Sequence, residues 1–188
     1  SWWPTRRMAR ALTALLLSSR VAPDLLGQWQ RTLPADTPNW FVLNIQPDQR
    51  TAFETELGRI GARTITVSPV AIGRLVTIND RPASEHPVAD PGMARWRDGP
   101  LNLSWSAQLP GGNSLAEGAW WDAAAPGNGV SLEQRFAGRL GVGLGDRLGL
   151  RIGEQEVEVT VANLRATDWD SFRVNFFMVL EPAAAERV

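Results

Sequence analysis

Period-two apolar patterns separated by two short helical stripes predict an α+β domain, a mixed β-sheet with short helices packed on it and one irregular lobe. Leu101, Leu103, Trp105, Ala107 and Leu109 alternate with polar residues, and Val157, Val159 and Val161 alternate with Glu158 and Thr160. The near-continuous apolar run Asn175 to Leu180 reads as a buried strand. The stripes are Phe53, Leu57 and Ile60, which come after the helix start at Gln46-Pro47-Asp48-Gln49, and Leu132, Phe136 and Leu140.

Taken in order, Arg6, Arg7 and Arg10 precede the apolar run Ala11 to Leu17. That run is far shorter than the roughly 20 residues a membrane-spanning helix needs. From the residues alone the segment 1–22 reads as a secretory leader, with Met8 as an internal start. Residues 23–35 then form a stalk-like amphipathic helix: Pro23 suits a first helical turn, Asp24 favours its positive end, and Leu25, Leu26, Trp29 and Leu33 share a face.

Residues 36–182 form the core domain, and residues 183–188 a linker. Its first strand is expected from Asn39 to Ile45, followed by the helix that Gly61 ends and strands at Thr64 to Ser68 and Leu75 to Ile78. Asn79-Asp80 marks a turn. Residues 81–130 make the irregular lobe, of which Arg81 to Pro100, with its prolines and no periodicity, reads as surface excursion. Pro110 to Asn113 turns the Leu101 strand into a return strand, Leu115 to Trp121. Ser131 with Gln134 resembles a capping box opening a helix that ends at Gly141, and Asp146 opens a strand from Arg147 to Ile152. Gly153 to Gln155 turns the chain into Val157.

Composition narrows function. The 188 residues carry a net charge of -1, too little positive surface for a phosphate backbone, so nucleic acid is not an expected partner. All 19 basic residues are arginine. Without lysine there is neither a phosphate-loop motif nor Schiff-base chemistry. Without cysteine there is no disulfide and no thiolate site. The sole histidine, His86, sits beside prolines and reads as solvent-exposed, without the companions a metal site requires. Ser131 lacks the glycine pattern of a nucleophile elbow. Glu154 and Glu156 form a solvent face, and Asp168 and Asp170 cap turns at a corner where Trp169 closes a core edge. No catalytic, cofactor or metal site is expected.

The order of several segments carries a resemblance. LRATDWDSFRVNFFMVLEP resembles the end of the large extracytoplasmic domain of FtsX/MacB-type ABC transporter permeases, in particular predicted permeases of the YbbP kind. DTPNWFVLNIQPDQ, GRLVTIND, LNLSWSAQLPGGNSLAEGAWW and VSLEQRFAGRLGVGLGD are similar to that family in the same order. Asp98-Gly99-Pro100 departs from it where an acidic-aromatic pair is usual, and Ile72 replaces an arginine.

The resemblance implies a MacB-like periplasmic core in an inner-membrane protein, with residues 1–22 as the stump of a first membrane helix, the alternative to a leader, and residues 183–188 leading to the next membrane helix. It implies no cofactor in this domain, a cytoplasmic ABC ATPase acting through the rest of the permease, and movement relayed to handle a hydrophobic or lipid-like compound. A periplasmic esterase is an associated partner by the same analogy. Trp120, Trp121, Phe176 and Phe177 are then the candidate hydrophobic contacts. The family motifs match at Asn39, Arg74, Asn113, Gly118, Glu133, Gly145, Asp146, Arg165, Trp169, Asp170 and Asn175, with roles expected in turns, caps and strand ends. A free periplasmic binding module, or a serine hydrolase built on Ser131 and His86, stands as the alternative.

Overall fold

The computed structural model describes residues 40–62, 65–122, 124–171 and 173–187. The chain divides into two compact units, Ser1–Phe41 and Val42–Val188. Asn39 and the expected leader and stalk helix lie outside the described residues.

Among the described residues the second unit contains eight strands: β1 (Ala71–Ile78), β2 (Arg81–Pro82), β3 (Leu101–Trp105), β4 (Asn113–Gly118), β5 (Gly129–Glu133), β6 (Arg147–Ile152), β7 (Gln155–Thr167) and β8 (Met178–Leu180). They form one mixed sheet in the order β2-β1-β3-β8-β5-β7-β4, with β6 bridging β1 and β7. The bridge closes a circuit, β1-β3-β8-β5-β7-β6, that returns to β1. A closed circuit buries one face of every member strand and removes most free edges. The expected α+β sheet is present, and its closure is a feature that local patterns do not carry.

Two pairings in the ring are parallel, β3 with β8 and β5 with β7. The long β7 makes closure feasible, because its first half pairs with β6 and its second half with β5 and β4. Val157, Val159 and Val161 point into the core with Leu148, Leu150, Val130 and Leu132. At Ala162 the register with β5 slips by one residue. This bulge changes the phase, so Leu164 opposite Leu132 continues the apolar row, while Asn163 and Arg165 oppose Ser131 and Glu133. All four polar residues are buried on that other face.

Several local expectations change. Residues 40–45 form no strand; Asn44 takes a left-handed φ of 62°, which interrupts an extended run. Residues 65–68 are likewise not a strand. The helix at Arg50–Arg59, α1, is present, but its stripe is not a core face: Phe53 and Leu57 are half-buried and Ile60 is exposed. Ion pairs Arg50–Glu54 and Arg59–Glu56 support it locally instead. β3 stops at Trp105, and the chain after the Pro110 turn returns as β4 against β7 rather than against β3. Only Met178–Leu180 of the expected terminal strand joins the sheet. The Asn79-Asp80 turn holds, both residues adopting positive φ (50° and 65°), as a two-residue hairpin of this hand requires.

Ser131 lies within β5, not at a helix start. Glu133 caps the helix α3 (Gln134–Leu140), its carboxylate accepting the Phe136 amide at 2.7 Å, and Gly141 closes α3 with φ 84°. Residues 81–100 are not simply surface excursion. They hold two 3-10 turns and the short helix α2 (Ala94–Asp98), and they bury Ala83 and Met93 in the core. This stretch is stitched to α3. Ala89 N–H donates to Arg139 O at 3.0 Å, and Asp90 binds the Arg139 guanidinium at 2.6 Å. A final short helix, α4, spans Pro182–Ala185 and buries Ala184 and Ala185.

Candidate functional site

Four aromatic rings from separate parts of the sequence meet where α2, α3 and the approach to β8 converge. Phe177, just before β8, is their centre. It stacks on Phe136 of α3 at 5.0 Å, meets the edge of Trp96 of α2 at 5.3 Å and leans on Trp169 at 5.2 Å. Together with Met93, Glu133, Arg135 and Arg139 these rings line an open pocket of about 260 Å³. Trp169 sits on the 3-10 turn Trp169–Ser171 and is 45% exposed, so one wall faces solvent.

The charge beneath the pocket is nearly balanced. Glu133, 3% exposed, is the register partner of Arg165, 1% exposed. Burial pushes the Arg165 guanidinium down to about 10, and the negative charge of Glu133 opposes that shift. Arg165 therefore stays cationic at neutral pH. It donates to the carbonyls of Phe176 and Phe177, fixing the backbone that presents the central ring. Its Nε has no partner among the described residues, nor do Ser131 Oγ and Asn163 Oδ1.

At the mouth the balance is broken. Arg139 is held by Asp90, whose carboxyl lies below its ordinary value because it accepts the Gly92 amide and, next, the Arg139 guanidinium. Arg135 is exposed and makes no ion pair or hydrogen bond among the described residues. The pocket thus combines aromatic walls with one uncommitted cation.

Of the four candidate hydrophobic contacts, only Phe177 lines this pocket. Phe176 is half-buried and gives its carbonyl to Arg165. Trp120 and Trp121 pack on each other at 3.9 Å elsewhere, their indole N–H groups donating to Ala107 O at 3.0 Å and Ser106 O at 2.9 Å. Met93, Trp96, Arg135 and Phe136 are pocket residues that sequence reasoning did not single out as contacts. The available signal was Met93 and Trp96, at the i, i+3 spacing of one helical face, within the proline-rich stretch.

Other motif residues gather at the corner beside Trp169. Asn113 donates to Asn175 at 3.0 Å and accepts from Thr167 at 2.7 Å, while Asn175 reaches the carbonyls of Asp168 and Arg173. Asp168 accepts the Asp170 amide at 3.0 Å; Asp170 itself is exposed. Gly118 ends β4 at φ 76°, where any Cβ would stand 2.5 Å from Ala162 O. Gly145 has φ 82°, and Asp146 ties the Gly143 amide to the Asn79 side chain across the β1–β2 turn. Arg74 is exposed on β1.

The serine hydrolase pair is not assembled. Ser131 is fully buried in β5 with its hydroxyl unpartnered, and the half-buried His86 turns Nε2 to Gly141 O at 3.2 Å. Among the described residues no cluster of three or more acidic or histidine side chains could hold a metal ion.

No known family profile matches the chain. No solved structure matches it either. Among curated proteins it is 35% identical over 175 residues to "Uncharacterized ABC transporter permease YbbP" of Escherichia coli (strain K12). The chain is related to a segment of an ABC transporter permease. The aligned region takes in 93% of the chain and 20% of that protein, so the chain spans about a fifth of the curated relative's length. Among the described residues no helix is long and apolar enough to cross a membrane.

Proposed function

We propose that this chain is the periplasmic domain of an inner-membrane ABC transporter permease. It relays the movement driven by a cytoplasmic ATPase to the extracytoplasmic side, for export or extraction of a hydrophobic or lipid-like compound. The observation that carries this reading is the 35% identity extending over 93% of the chain. Two structural features support it. A sheet closed into a ring, with each member strand paired on both sides, suits a body that transmits displacement. An aromatic pocket open to solvent suits transient contact with an apolar compound. ATP binding falls to a separate subunit, and a periplasmic esterase is the further partner suggested by analogy.

Fractionation of the source cells, with detection by an antibody against this chain, tests the proposal. A product much larger than 20.6 kDa that only detergent releases is the expected result. A product near that mass, free in the periplasm, would overturn it and leave a free binding module.

A further inference from the structure

The proposed transport role leaves the compound undefined, and the pocket around Phe177 narrows it. Its walls are Trp96, Phe136, Trp169 and Phe177, with Met93 behind them. A surface of this kind takes an aliphatic chain through apolar burial. Its volume, about 260 Å³, falls short of the roughly 300–1,000 Å³ that encloses a drug-sized ligand, which fits one alkyl chain rather than a two-chain lipid.

Charge decides the other end of the ligand. Glu133 faces the pocket, but Arg165 beside it offsets its charge; Asp90 offsets that of Arg139. What remains is the exposed Arg135 guanidinium, without an ionic partner among the described residues. Its planar fork matches a carboxylate in two parallel hydrogen bonds. A dianionic head would leave one negative charge uncompensated close to Glu133. Trp96 and Trp169 add indole N–H donors that bond to nothing else among the described residues.

We propose that this pocket binds a single-chain aliphatic carboxylate, with its tail against Phe177, Trp96 and Trp169 and its head on Arg135. This rests on the reading of the chain as a transporter domain for a hydrophobic compound, and it assigns that compound a class.

Titration calorimetry of the 188-residue chain tests it with three decyl probes below their micellar concentrations: decanoate, decyl maltoside and decyltrimethylammonium. Decanoate should saturate a single site, and the cationic probe should bind at least about fivefold more weakly, the scale of one partly exposed ion pair. Arg135→Gln should erase the difference between the charged probes while leaving the neutral one unchanged. Trp169→Ala should weaken all three. Equal affinities in the native chain, a decanoate preference that survives Arg135→Gln, or no saturable decanoate binding would each overturn the assignment. Fractionation separates this result from the parent proposal. Membrane retention without decanoate binding removes the ligand class alone, whereas decanoate binding by a free periplasmic product removes the transporter reading alone.

Discussion

Two tryptophan pairs of this domain differ in construction: Trp120 and Trp121 are neighbours in the sequence, whereas Trp96 and Trp169 are brought together only by the fold. At Trp120-Trp121 both indole N–H groups are satisfied by backbone carbonyls, and the loop after them is pulled onto β5 by a buried carboxylate. At Trp96 and Trp169 the indoles bond to nothing among the described residues, and the rings rest on Phe177 around an open pocket. A satisfied pair of tryptophans is a latch, and an unsatisfied pair is a surface with capacity to bind. Adjacent aromatics in a sequence therefore say less about recognition than where their N–H groups go.

The comparison breaks most sharply at Glu181. Its carboxylate, 5% exposed, accepts the amides of Gly127 at 2.6 Å and Gly129 at 2.9 Å and so anchors the latched loop. Glu181→Ala leaves both amides without that partner, at a cost of about 3 kcal/mol for two charge-assisted bonds. In a domain of this size that lowers the Tm by about 8 °C. Decanoate affinity should hardly change. A Tm shift below about 2 °C would show that the latch carries little energy.

Exchanging one ring on each side sharpens the contrast. Trp121→Phe keeps most of the apolar bulk but removes the donor to Ser106 O, a loss of about 1 kcal/mol seen in chemical denaturation. Trp169→Phe removes no hydrogen bond among the described residues, so stability should stay within about 0.5 kcal/mol while decanoate binding weakens. The reverse ranking would reverse the two assignments.

The same difference between local and distant contacts decides which features were legible in the sequence. Val157, Val159 and Val161 face one way because a strand imposes period two, and Asn79-Asp80 and Gly141 take the backbone conformations their chemistry favours. Such signals are local. The pocket and the ring closure depend on distant pairings: β1 with β6, and Phe177 with Phe136 and Trp96. Ser131 shows how local rules compete. Ser131 and Gln134 fit a capping box, yet Glu133 also caps, and pairing of Leu132 with β7 and β8 and of Glu133 with β7 extends the strand two residues past Ser131. Asn39 to Ile45 shows the opposite failure, since a continuous apolar run from Trp40 to Leu43 exists without a sheet partner for residues 40–45.

The smallest effect concerns the clasp beside the pocket. The Gly92 amide, and after it Arg139, hold the Asp90 carboxyl below its ordinary 3.8. A carboxyl with a lowered folded-state value contributes stability above its unfolded value, and that contribution disappears as pH falls through the folded one. Asp90→Asn should therefore be slightly less stable than the native chain at pH 7, and the two should converge only once pH has fallen through the lowered folded-state value of Asp90, below 3.8. Denaturation at a series of pH values checks this. Because the side chain is solvent-exposed, the difference stays small even where it is largest. Neutralising Asp90 also frees Arg139, the second cation at the pocket mouth, so decanoate binding at pH 7 should strengthen by about twofold as stability falls. A parallel loss of both would mean that the clasp shapes the pocket instead of holding one of its charges in check.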